Sequence, residues 1–239
     1  MLIRQGDSRD SGADRRLAFT LAAVAGGLNA AAFDAVGFFS ANMTGNVSSL
    51  SRLLALGQWR QGFGYLLIVA TFVFGAMVST LAIGAGLRRG AVTIYAQVVI
   101  AEAVLLAILG ITENCFDRTS AIPSLIIGLS FLMGMQNAIV THISDARVRT
   151  THVSGMATDI GIGIARMIDI ARGKDNGAQR EAITTKLRLH VGTVAWFLAG
   201  GIPGVLLYRF IGDLAFAAGS IPLLLIALPT VARHRPGIA

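Results

Sequence analysis

Charge is what this sequence has least of. Only 14% of its 239 residues are Asp, Glu, Lys or Arg, whereas 54% are hydrophobic and the mean hydropathy is +0.67. A water-soluble domain carries roughly a quarter charged residues, so the bilayer is the expected solvent. A single cysteine, Cys115, excludes an intrachain disulfide and any cysteine-based metal site. The four histidines, His142, His152, His190 and His234, show no metal-ligand spacing. Neither G-x-S-x-G nor the phosphate-binding G-x-x-x-x-G-K occurs, and the two-residue spacing of His152 and Ser154 is no evidence of a catalytic dyad. No enzyme activity, cofactor or metal is therefore expected.

What is present is a series of apolar runs. Six are about long enough to span a bilayer: 17–38, 62–86, 93–112, 122–141, 188–208 and 212–232. The segments 43–57 and 152–171 are shorter and amphipathic, and read as re-entrant, broken or interfacial. Residues 1–14 are polar and are expected to be a disordered cytoplasmic tail, leaving 15–235 as one membrane domain. Arg15-Arg16 ahead of LAFTLAAVAGGLNAAAF imitates a signal peptide, with Ala30-Ala31-Ala32 as a small-residue site. Because five more spans follow, we read the run as an uncleaved first helix.

The net charge of +7 is a topology signal. With the N-terminus in the cytoplasm, only Arg52, Arg60, Arg118 and Arg209 of the 20 Lys and Arg residues fall outside. That bias follows the positive-inside rule. It places both termini in the cytoplasm and removes the reason to expect a nucleic-acid partner. An eight-span layout keeps the termini inside but puts Arg52 and Arg166 within the membrane, where arginine is costly.

The chain also repeats itself. Gly26–Ala30 reads GGLNA and Gly134–Ala138 reads GMQNA, 108 residues later. Thr44-Gly45 and Ser154-Gly155, 110 residues apart, each lead into one of the amphipathic segments. The halves, 17–112 and 122–232, hold three spans each. An odd number sends the second half in from the opposite side, so a 3+3 inverted repeat is expected.

GFFSANMTGNVSSL, with the upstream GGLNA and the later FLMGMQNAIV, resembles the YoaK family of small multi-pass bacterial membrane proteins, a domain of unknown function. The resemblance spans about residues 17–232, and its most specific element is Asn42–Asn46, NMTGN. It implies an integral inner-membrane protein and no particular activity. One departure stands out: where many members carry Asp in G-[YF]-x-D-A, this chain has Asn29.

The candidate site residues follow from depth and pattern. Asn29 and Asn137 lie inside apolar spans, where an unpartnered amide costs several kcal/mol, so both must face the protein interior. They read either as glue between helices or as symmetry-related ligands. Asn42, Thr44, Gly45 and Asn46 in one half, and Ser154 and Gly155 in the other, read as helix starts, with Asn42 or Thr44, and Thr151 or Ser154, as caps. Helix starts present free N–H groups to an anion, and paired ones face the substrate in some transporters with inverted repeats. Glu102, the deepest acid, is the candidate for coupling to a proton or cation.

The resulting expectation is an all-α integral membrane protein in the lipid bilayer of the bacterial inner membrane. We read it as a permease for a small polar or anionic solute, with a non-transporting scaffold or lipid-interacting protein as the alternative. Gly84-x-Gly86 and Gly161-x-Gly163 allow close helix packing, within one chain or in an oligomer.

Overall fold

The computed structural model describes residues 2–3, 5, 10–115, 118–174 and 177–234. Among these, all regular structure is α-helical: α1 Ser11–Val36, α2 Met43–Ala55, α3 Trp59–Arg88, α4 Ile94–Cys115, α5 Arg118–Ser144, α6 Val153–Ala171, α7 Arg180–Ile211 and α8 Leu214–Ala232. Six of them (α1, α3, α4, α5, α7 and α8) are long and apolar enough to cross a membrane. Large apolar side chains such as Phe63, Leu81, Leu198 and Phe210 point outward, Phe210 with 87% of its surface exposed. Such an outward apolar belt belongs against lipid rather than water.

The first helix starts earlier than its hydropathy suggests. Asp10 caps it by accepting from the Ala13 N–H at 2.6 Å, and residues 11–14 of the expected disordered tail are helical. Leu2 is fully buried in the core. Residues 1, 4 and 6–9 of that tail lie outside the described residues. The cause is local capping: a carboxylate at the cap position satisfies free N–H groups of the first turn.

The helix partnerships repeat between the halves. α1 packs on α7 as α3 packs on α5, and α2 packs on α3 as α6 packs on α7. α4 meets α5 as α8 meets α1, while α1·α5 and α4·α8 join equivalent helices. Glycines make close crossings possible in both halves. A Cβ on Gly26 or Gly200 would strike the backbone of Phe197 or Ala23 across the α1–α7 contact. One on Gly134 or Gly75 would strike the backbone of Phe72 or Phe131 across α3–α5. Small residues let apolar helices approach where van der Waals packing, not water exclusion, drives association. Gly86 against Ile94 and Gly163 against Leu187 use their missing side chains within this chain as well.

Side-chain contacts fix the direction of travel. Phe38, just past α1, packs on Tyr65 in the second turn of α3 with ring centroids 5.0 Å apart. The end of α1 and the start of α3 therefore lie at one face, and α2 returns to the face it left. Beyond α5, the loop residues Arg147 and Arg149 line a cavity with Lys186 and His190 near the start of α7, so α6 also returns. Arg147 lies 3.4 Å from Asp14 in the first turn of α1, which puts the exit of α5 beside the entry of α1. This layout fits six crossings and not eight.

Candidate functional site

Each half contains an irregular segment that doubles back from a helix end. α1 ends at Gly37, whose φ of 72° is the left-handed conformation that glycine adopts without penalty. α5 ends at Asp145 and Ala146, both left-handed, with φ of 51° and 58°. The chain then runs back along the helix it has just left. Asn29 and Asn137, each seven residues or about 10 Å before its helix end, hold the returning segment. Asn29 Oδ1 accepts from the Ala41 N–H at 2.9 Å and from the Ser40 hydroxyl at 3.5 Å. Asn137 Oδ1 accepts from the Thr151 hydroxyl at 2.7 Å, and its Nδ2 donates to the Met133 carbonyl at 2.8 Å. The two amides thus tie helix to re-entrant segment within each half, and both also face a common cavity.

Pinned in this way, the segments launch α2 and α6 from inside the fold. Residues 41–50 and 151–160 follow the same order of exposed and buried positions. Asn42 caps α2, its Oδ1 accepting from the Gly45 N–H at 3.1 Å. α6 differs. Thr151 is engaged by Asn137 and Ser154 lies inside the helix, so neither is the cap. His152 holds the cap position without a side-chain cap bond. Its Nδ1 instead accepts from Arg149 Nη1 at 3.0 Å, since a guanidinium can only donate.

The two helix starts open into one cavity of about 890 Å³. Asn29, Asn42, Thr44 and Gly45 line it from the first half, and Asn137 and Ser154 from the second. Six of the eight binding candidates are therefore brought together. Gly155 faces an adjoining cavity of about 240 Å³ that shares Ala146, Arg149 and His152 with the larger one. Asn46 lines neither. It is buried behind the first turn of α2, where its Nδ2 donates to the Phe39 carbonyl at 3.3 Å, and helps fix the re-entrant bend.

Glu102 is fully buried on α4, its two carboxylate oxygens have no hydrogen-bond partner among the described residues, and it lines neither of these cavities. Asp159 and His190, which do face the smaller cavity, lie 3.6 Å apart, with Lys186 3.5 Å from Asp159. Among the wall residues that sequence reasoning missed are Phe72, Phe197 and Arg149. Phe72 and Phe197, 125 residues apart, face each half's polar motif but look like ordinary span residues. Arg149 had a signal: a cation three residues before His152, where the matching stretch has Phe39.

Residues 17–229 match the family model described as "Protein of unknown function (DUF1275)". The chain belongs to that family. YoaK proteins are members of it, which accounts for the NMTGN and GMQNA motifs noted in the sequence. No curated protein and no solved structure matches the chain. Family membership thus supplies a membrane-like helical protein of unknown function, and any activity must be argued from the cavity.

Proposed function

We propose that this DUF1275 protein is a secondary transporter of the bacterial plasma membrane for a small polar or anionic solute. In this reading it is not an enzyme, both termini are cytoplasmic, and the two halves are an inverted repeat about the shared cavity. The observation that carries it is the meeting of the α2 and α6 starts, each re-entering from its own face, in one cavity to which both halves contribute polar side chains. Backbone without regular hydrogen bonding is tolerated at membrane depth only where it is buried in protein or lines a wet cavity. Discontinuous helices at a repeat interface are the usual place for a transported solute. About 890 Å³ suits a small molecule.

The test is counterflow uptake into proteoliposomes with a panel of labelled amino acids, organic acids, phosphate and sugars. We expect uptake of at least one solute, lost in Thr44→Trp and in Ser154→Trp, which fill the cavity from opposite halves. A folded, monodisperse protein that moves none of the panel would remove the transporter reading in favour of the lipid-interacting alternative. That second reading has its own support in a wholly apolar groove between α1 and α7, lined by Gly26, Ala30, Leu198, Gly201, Ile202 and Val205.

A further inference from the structure

We infer that the solute carries an oxyanion group, a carboxylate or a phosphate, and that Arg149 and His152 receive it at the start of α6. The inference rests on the transporter reading above and narrows it. Its basis is an asymmetry between halves that otherwise match. At positions 110 residues apart, Phe39 answers to Arg149 and Asn42 to His152. All the cationic or protonatable side chains on the wall of the central cavity therefore belong to the second half, and none of its lining residues is acidic.

Asp159 faces the adjoining cavity instead, where Lys186 Nζ lies 3.5 Å from its carboxylate. Arg149 thus faces the central cavity with no carboxylate on its wall to balance it. One guanidinium N–H goes to His152 Nδ1, which leaves the neutral imidazole with its proton on Nε2. The pair offers donors only, with the planar fork that suits bidentate binding of an oxyanion.

The helix start agrees. In α2 the Asn42 side chain satisfies the Gly45 N–H; in α6 no side chain does the same for the equivalent turn, because Arg149 holds the His152 ring. A ligand oxygen can take that place. Gly155 makes room for the His152 ring itself, since a Cβ there would lie 2.8 Å from His152 Nδ1, just as Gly45 makes room for the Asn42 side chain. At the other end of the cavity Asn42, Thr44 and Ser48 are polar and uncharged, and fit the neutral remainder of the solute.

The experiment uses the full chain in nanodiscs of uncharged lipid. Binding of inorganic phosphate, acetate, glycerol and tetramethylammonium is measured by calorimetry, alongside thermal unfolding without ligand. Phosphate or acetate should bind, and whichever is tighter tells the two oxyanion classes apart. Arg149→Gln should weaken that binding about tenfold to a hundredfold, the usual loss for a charge-assisted hydrogen bond. His152→Asn gives α6 the cap that α2 has. It should raise the unfolding temperature of the free protein yet weaken oxyanion binding, a combination that a purely structural role for His152 would not give. The inference is overturned if both variants bind the oxyanion as tightly as the native chain. It is also overturned if only glycerol or tetramethylammonium binds, in which case the transporter reading survives. If no probe binds and the uptake panel is also blank, both readings fall together.

Discussion

Asn29 allows a sharp test of what holds the re-entrant segments. Its Oδ1 accepts two hydrogen bonds, from the Ala41 N–H and the Ser40 hydroxyl, and no bond runs from its Nδ2 to a described residue. Only 8% of the residue is exposed. Replacing it with alanine strands a largely buried N–H, at a cost of about 1–3 kcal/mol. For a chain of this size that is roughly 2–12 °C in unfolding temperature. Asn29→Asp keeps an acceptor oxygen in the same place, so the loss should stay below about 1 kcal/mol. The acid that the YoaK pattern carries at this position then makes sense as an acceptor, without any proton-coupling role. Asn137 should behave differently although it is the matching residue. It both accepts from Thr151 and donates to the Met133 carbonyl at 2.8 Å. Asn137→Asp would set two oxygens against each other and should cost about as much as Asn137→Ala, again about 1–3 kcal/mol. The four variants would be purified in one detergent and unfolded thermally. If Asn29→Asp melts as low as Asn29→Ala, or Asn137→Asp melts with the native protein, the hydrogen-bond assignments are wrong.

Two further outcomes test the frame around the cavity. Gly200→Ala and Gly75→Ala each drive a methyl group into the backbone of the facing helix and should each cost about 1–3 kcal/mol. Gly64→Ala, with nothing within 4 Å of its Cβ, should instead gain up to about 1 kcal/mol from helix propensity; equal unfolding temperatures for all three would refute the tight crossings. Orientation is checked by thiol labelling. Exposed Cys115 at the end of α4 should react with a membrane-impermeant maleimide in intact spheroplasts. Lys174→Cys in a Cys115→Ser background should react only after permeabilisation, and the opposite pattern would reverse the proposed topology.

The sequence made the scaffold legible because lipid imposes the simplest rule. Every backbone group in a bilayer must be satisfied within its own helix or inside protein, so the six spans stand out as apolar runs, and their observed ends differ from the expected ones by at most eight residues. The pairing of G-x-x-N-A with a hydroxyl-glycine dipeptide was legible too, because it recurs at nearly constant spacing. What the pattern did not reveal was the division of labour inside the motif. Asn42 and Asn46 are chemically alike and four residues apart, yet one caps a helix at the cavity wall and the other is buried behind it. Which amide faces the cavity depends on the bend at Phe39–Ala41, set by a bond from Asn29 eleven or twelve residues away. The cap of α6 was misassigned for a related reason. Thr151 and Ser154 are good caps by type, but the Asn137 amide removes the first, and the phase of the re-entrant segment places His152 at the helix start. Arg149 completes that logic. A cation at the bend before α6 looks like a topology signal when counted with the other basic residues. Placed against His152, in a wall without carboxylates, it becomes a charge that the first half lacks. A site specific for one end of a solute needs such a break in symmetry, since two equivalent halves cannot tell one end from the other.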